Sequence, residues 1–273
     1  MSVLAYFRLL RVDVTLIAVA TYLLGVALVE PVDTPDLLVA LAIALISTNF
    51  IYSLNAWSDR HVDRINKPHR PLACGAIGTQ AALRYSLLLL VLSVAYPLFV
   101  ARSPLTLGLF LALPLLGLLY SVRPPYLKRF PVVAAVVTSV GLVIPVQIGY
   151  YMHAESRAPL GFFAALFILC LSTVLLKDIQ DAEGDVQCGL ANLYVRHGRR
   201  LLHTSAAGFA LVLILAALPA TPPLTRYLTG SLAMVGLVWH LLGFRVPERL
   251  YERIIFAQMT VGGLFLIVLI AAA

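Results

Sequence analysis

Residues 35–63 read PDLLVALAIALISTNFIYSLNAWSDRHVD, an apolar run from 35 to 56 that turns abruptly into Asp59, Arg60, His61 and Asp63. About 20 apolar residues in helical conformation span the roughly 30 Å hydrocarbon layer of a bilayer. Eight further runs of that kind centre on residues 12–29, 82–101, 104–121, 131–151, 160–177, 203–219, 225–243 and 254–272. Backbone groups in lipid must be satisfied within their own segment, so these runs predict an all-α, polytopic membrane protein with nine transmembrane helices. The 273 residues are 61% hydrophobic and 12% charged, which leaves no room for a soluble domain, so 1–273 is read as one transmembrane domain. The opening run carries Arg8, Arg11 and Asp13, outlasts a signal-peptide core and offers no small-residue cleavage site. It reads as a retained first span.

The net charge of +7 does not indicate nucleic acid, because the bases are scattered among short loops. With nine spans and the N-terminus inside, seventeen Lys and Arg fall on the inner side and three, Arg102, Arg157 and Arg226, on the outer. The positive-inside rule therefore predicts a cytoplasmic N-terminus and a C-terminus on the opposite side. Cys74, Cys170 and Cys188 have no CxxC spacing and no surrounding histidine set, which argues against a disulfide framework or a zinc site.

Two acidic clusters break the charge pattern at the inner ends of the second and sixth spans. In NAWSDRHVD, Asn55, Asp59 and Asp63 lie at i, i+4 and i+8, drifting about 40° per step along one helical face. In KDIQDAEGD, Asp178, Asp181 and Asp185 lie at i, i+3 and i+7, again one stripe, with Glu183 directed elsewhere. Interfacial acids are often merely solvated, but carboxylates one turn apart repel each other, and a stripe of them at a membrane edge calls for a cation. Oxygen ligands without thiol or imidazole select Mg²⁺, or Mn²⁺. Asp59 to Asp181 and Asp63 to Asp185 are both 122 residues apart, the mark of a diverged repeat, roughly 1–125 and 126–273, that turns both stripes toward a central cavity. Arg64, Lys67, Arg70, Lys128, Arg129 and Lys177 are interleaved with the acids, beside the tyrosine and serine of YSVRPPYLKR. Arginine forks and lysine charges of this kind suit a diphosphate leaving group, with the metal drawing electron density from its bridging oxygen.

Taken in order, NxxxDxxxD followed by NKPHRPL, YSVRPPYLKR and KDIQDAEGD resemble the UbiA-type prenyltransferase superfamily over nearly the whole chain. The stretches NKPHRPLACG, YSVRPPYLKRFPVVAA and KDIQDAEGDVQCGLANLYVRHG are most similar to its homogentisate prenyltransferase branch. That resemblance implies nine helices, cytosolic loop caps over the cavity, and Mg²⁺-dependent transfer of a prenyl group from an allylic isoprenoid diphosphate to a phenolic acceptor. It makes Asp59, Asp63, Asp181 and Asp185 the catalytic carboxylates, with Asn55 and Asp178 completing the metal ligands. Arg11, Arg70, Tyr120, Ser121, Lys128 and Lys177 become diphosphate contacts, and Phe50, Tyr52, Tyr150 and Tyr151 are aromatic residues that could shield the cation, though helix packing explains them as well. The prenyl tail would leave sideways into the bilayer. His61, His69 and His197 read as solvated loop residues. The chain departs from the pattern at Ala56, where many relatives carry Asp or Gln, at Cys74, where Ser is usual, and at Asn192 and Tyr194, which replace Thr and Pro. Glyceryl phosphate lipids and chlorophyll-type acceptors fit much of the same pattern, and so does a membrane terpene cyclase. A transporter fits less well, because apart from Asp13 the acids lie at interfaces and none sits at a midplane.

Overall fold

The computed structural model describes residues 6, 9–154, 159–189, 192–218, 223–243, 250, 257, 260–264 and 267–268. Helices α1 (Val12–Ala27), α2 (Thr34–Ser58) and α3 (Arg60–Asn66) are followed by α4 (Thr79–Val100) and α5 (Pro104–Ser121). A 3₁₀ turn, Leu127–Arg129, precedes α6 (Pro131–His153), α7 (Leu160–Gln187) and α8 (Leu193–His197), and α9 (Arg200–Ala217) and α10 (Pro223–Gly243) complete the described helices. The fold is all-helical and the protein is integral to the membrane. By length and composition five of the described helices can cross a bilayer, six if the bent α7 counts as one span, and Val14–Ala27 and Thr229–Val238 are shorter apolar helices. Most of the ninth expected span, 254–272, lies outside the described residues.

Local chemistry sets the helix ends. Asp33 and Ser103 each close a capping box, Asp36 N–H donating to Asp33 Oδ1 at 2.9 Å and Thr106 N–H to Ser103 Oγ at 3.2 Å, with proline in the first turn of both helices. Within α2, Ile43–Thr48 forms a π-helical segment, the kind of insertion that offsets the faces above and below it.

Packing is built on close helix crossings. Gly25 of α1 and Gly149 of α6 face each other so tightly that a Cβ on Gly149 would lie 3.0 Å from Val26 N and 3.2 Å from Gly25 Cα. Small residues let transmembrane helices approach in this way where lipid supplies no hydrophobic drive to pair them. Around the crossing, Tyr22, Val26, Phe110 and Ile148 form one fully buried cluster and Leu24, Val146, Phe209 and Val212 another. Outward positions such as Leu88, Val91, Phe99, Val132 and Leu160 are exposed and apolar, as a lipid-facing surface requires. Between α2 and α4 runs a polar seam: Asn49 Nδ2 donates to the Tyr85 hydroxyl at 2.6 Å, Ser86 Oγ to Ser53 Oγ at 2.9 Å, and Ser47 pairs with Tyr96 at 3.1 Å. At the end of the bundle away from the acidic motifs, His153 clips α6 to α2 and to the segment after α1. Its Nε2 lies 2.9 Å from Asp36 Oδ1, its Nδ1 meets Glu30, and Arg102 donates to Met152 O at 3.0 Å.

Candidate functional site

The first acidic motif sits where α2 hands over to α3. Asp59 has φ −89° and ψ 3°, which ends α2, yet the i to i+4 pattern continues: Asp59, Asp63 and Lys67 N–H donate to Asn55, Asp59 and Asp63 O, each at 2.8 Å. The expected straight stripe is therefore kinked, and Asn55, Asp59 and Asp63 still line one cavity. Asp181 and Asp185 line it from the other side, so the structure brings the two motifs together. Helix α7 bends by 64° between Leu160–Leu176 and Asp181–Gln187. Asp178 falls within that break and is not among the cavity-lining residues; its Oδ2 accepts the Leu193 N–H at 2.9 Å, tying α7 to α8.

Three bases reach into the motifs, Lys67 and Arg70 from the turn after α3 and Lys128 from the 3₁₀ turn. Arg70 donates to Asp63 Oδ2 at 2.9 Å, Lys128 pairs with Asp59, and Lys67 crosses from the first motif to Asp181 of the second. Asp59 and Lys67 are each only 4% exposed. Burial holds Lys67 below the ordinary lysine range in spite of Asp181. Burial also works against a charged Lys128, but Asp59, Tyr120 and Asp181 together outweigh it and raise its pKa. Burial, with the Asp181 charge nearby, pushes the Asp185 carboxyl up to about 6.

Among the described residues no three Asp, Glu, His or Cys side chains converge closely enough to hold a metal ion, and Asp59, Asp63 and Asp181 are each paired with a base. Two oxygens nonetheless suit one. Asn55 Oδ1 and Asp59 Oδ1 are buried without a hydrogen-bond partner, and both residues stand on the cavity wall. A buried acceptor left unpaired costs about 1–3 kcal/mol, which a hard cation coordinated by oxygen relieves. The oxygen-only donor set of Asn55, Asp59, Asp63, Asp181 and Asp185 fits Mg²⁺.

Of the remaining expected contacts, Arg11 and Arg70 line the same cavity, with the Arg11 guanidinium carbon 5.7 Å from the Tyr52 ring centroid. Tyr120 lines the apolar arm that continues from it. Ser121 is buried behind α2, its carbonyl accepting from Ser58 Oγ at 2.8 Å, and is not among the cavity-lining residues. The Lys177 side chain lies outside the described residues. Of the aromatic residues weighed as a shield, Tyr52 lines the cavity, whereas Phe50 and Tyr150 are packed in the helix core with Tyr151 against it. His61, His69 and His197 are exposed.

Two amides that the sequence pattern did not single out as site residues hold the second motif. Asn66 donates from Nδ2 to Asp181 O at 3.0 Å and accepts the Gly184 N–H on Oδ1 at 2.6 Å, fastening α3 to the bent end of α7. Asn192 donates to Asp185 Oδ2 at 3.0 Å and to Asp178 O at 2.9 Å. Both lie in stretches that carry the family resemblance, Asn66 as the first residue of NKPHRPL and Asn192 in KDIQDAEGDVQCGLANLYVRHG, but the sequence by itself gives neither a role.

The profile of the UbiA prenyltransferase family matches residues 16–268. The chain belongs to this family. It is 31% identical over 209 residues to homogentisate geranylgeranyltransferase of Triticum aestivum, covering 72% of this chain and 51% of that protein. It is also 31% identical over 246 residues to digeranylgeranylglyceryl phosphate synthase of Methanoregula boonei, covering 87% and 84%. The chain thus spans about half the length of the plant relatives it matches. In fold it is similar to a UbiA homolog from Archaeoglobus fulgidus bound to GPP and Mg²⁺, with a TM-score of 0.75 and 22% identity over 97% of this chain and 99% of that one.

Proposed function

We propose that this UbiA-family chain transfers a prenyl group from an allylic isoprenoid diphosphate to an aromatic, homogentisate-like acceptor within the membrane and releases diphosphate. One observation carries the reading: the unpaired oxygens of Asn55 and Asp59 meet both acidic motifs and three bases in a cavity whose walls continue as apolar arms. Such a cavity suits a ligand with a polyanionic head and a hydrocarbon tail.

In this reading Asn55, Asp59, Asp63, Asp181 and Asp185 hold Mg²⁺, and Asp178 acts behind them by docking α8. Bound there, the metal supplies positive charge at the leaving diphosphate oxygens. Arg11, Arg70, Lys128 and Lys67 neutralise the diphosphate, Lys177 joins them from α7, and Tyr120 stands at the mouth of the arm. As the allylic C–O bond breaks, its electron pair stays on the diphosphate, and Tyr52 and the apolar walls keep water from the cation. The ring carbon of the acceptor takes the cation and then loses its proton. Nine spans, a cytoplasmic N-terminus, the C-terminus on the opposite side and a single repeat-built domain complete the proposal, supported by the charge bias and the 122-residue spacing of the motifs.

A glyceryl phosphate lipid is the second acceptor reading. A second apolar arm beside the first favours it, since an acceptor with its own tail needs one, and so does the relative from Methanoregula boonei that matches over most of both chains. Turnover of radiolabelled geranylgeranyl diphosphate by the detergent-purified protein, with phenolic acids, glyceryl lipids or no acceptor and with Mg²⁺ or EDTA, tests both. A metal-dependent prenylated phenol is expected; a hydrocarbon product without acceptor makes the protein a cyclase. Asp59→Ala and Asp181→Ala should abolish turnover without loss of membrane insertion, and activity retained in both would overturn the metal assignment.

A further inference from the structure

Two apolar arms leave the polar chamber, and they are not equivalent. The first shares Val14, Tyr52, Asn55, Thr138 and Leu142 with the chamber, and adds Tyr120. The second shares only Leu142 and Thr173, and meets the first at Ile17, Thr21 and Leu142. A chain anchored by a diphosphate near Asn55 therefore runs most directly into the first arm.

One wall of that arm is the α6 face made by Thr138, Gly141, Leu142 and Pro145, at i, i+3, i+4 and i+7. Thr138 and Leu142 also line the chamber, and from Thr138 Gly141 lies about 4.5 Å and Pro145 about 10 Å further along α6 at 1.5 Å per residue. Among the described residues, and apart from the adjoining residues and backbone of α6 itself, no atom comes within 4 Å of where a Gly141 Cβ would stand. Gly25 and Gly149 differ, because there the missing side chain is what lets two helices touch. Helix–helix packing gives no reason for the glycine at 141, and a helix-interior glycine costs about 1 kcal/mol relative to alanine. What it does provide is open space in the wall of the first arm, one turn along α6 from Thr138.

We infer that Gly141 determines which donor chain lengths the enzyme accepts, by leaving the first arm open past the first isoprene unit. The inference rests on the prenyl-transfer reading above. A dimethylallyl donor, with one isoprene unit, reaches least far into the arm, whereas a geranylgeranyl donor, with four, must run past Gly141. A side chain built at 141 starts into open space at its Cβ, so a leucine there narrows the arm.

The test compares wild type with Gly141→Leu, Gly262→Leu and Gly108→Leu, using the full chain in detergent. Gly262 is the matching open glycine of the second arm, and Gly108 is an exposed glycine of α5 with open space around it. Binding of dimethylallyl and geranylgeranyl diphosphates in Mg²⁺ is measured by calorimetry alongside turnover. Gly141→Leu should lower geranylgeranyl affinity and kcat/KM at least tenfold and change those for dimethylallyl less than twofold, while Gly108→Leu changes neither. Equal losses for both donors, or no loss for either, would overturn the inference, as would length discrimination appearing in Gly262→Leu instead. If the wild type bound no prenyl diphosphate at all, the proposed function itself would fall. Short donors that still turn over in Gly141→Leu keep the two failures apart.

Discussion

Replacing Gly184 with alanine tests whether the clamp between the motifs holds the site together. A Cβ at 184 would stand 2.6 Å from Asn66 Cγ and 2.8 Å from its Nδ2, closer than real Cβ contacts allow. Asn66 is a side chain and can move, but moving gives up its bonds to Asp181 O and Gly184 N–H. At about 1 kcal/mol each, the two bonds amount to about 2 kcal/mol. Because they fix the segment that carries Asp181 and Asp185, Gly184→Ala should weaken Mg²⁺ binding by up to about 30-fold, at 1.4 kcal/mol per tenfold. If the loss falls on the whole fold instead, the melting temperature should drop by about 4–8 °C for a chain of this size. Mn²⁺ binding followed by electron paramagnetic resonance and thermal unfolding in EDTA separate the two. Asn66→Ala removes the same bonds, so adding Gly184→Ala to it should cost almost nothing more. Wild-type metal affinity together with an unchanged melting temperature in Gly184→Ala would refute the clamp, and additive losses in the double variant would refute the clash.

Gly149→Ala sets a Cβ against the backbone of α1, which cannot yield as a side chain can, so it should destabilise the bundle by about 1–3 kcal/mol; thermal unfolding in detergent checks this, and an unchanged melting curve would refute the crossing. Lys128→Met leaves the buried Asp59 without its base, so the variant should melt lower than wild type in EDTA and recover more stability on adding Mg²⁺. The same Mg²⁺ response in both proteins would show that base and metal do not share Asp59.

The fold was legible wherever lipid imposes one solution. Runs of about 20 apolar residues can only be helices there, and the eight expected spans that fall on described residues each overlap a helix, five or six of them long and apolar enough to cross a bilayer, with α7 running ten residues past its expected end. Proline and capping residues at 33–36, 103–106 and 131 fixed where several of them begin. What periodicity does not carry is which faces meet. The contact of Gly25 with Gly149 joins residues far apart in the chain, and nothing near either one distinguishes a packing glycine from the open Gly141. Only the crossing of α1 over α6 makes that distinction.

At the site, ligand type was legible and ligand geometry was not. Asp178, Asp181 and Asp185 share one face of a straight helix, and on that geometry all three face the cavity. The bend between Leu176 and Asp181 turns the last two inward and leaves Asp178 to take the Leu193 N–H. That bend is held from outside α7, by Asn66 on one side and Asn192 on the other, and an amide that bonds to a distant backbone leaves no spacing to detect. The bases pair by the same long-range logic. Lys67 stands four residues from Asp63 yet pairs with Asp181 across the cavity, while Arg70 takes Asp63. A helical i, i+4 argument assigns Lys67 to Asp63; the loop after Asn66 leaves the helix at Lys67, with φ −142° and ψ 59°, and carries the ammonium over to the second motif. The two acidic motifs are therefore joined by a charge pair as well as by an amide, so a change at Lys67 should register at Asp181 before it registers at its own neighbour Asp63.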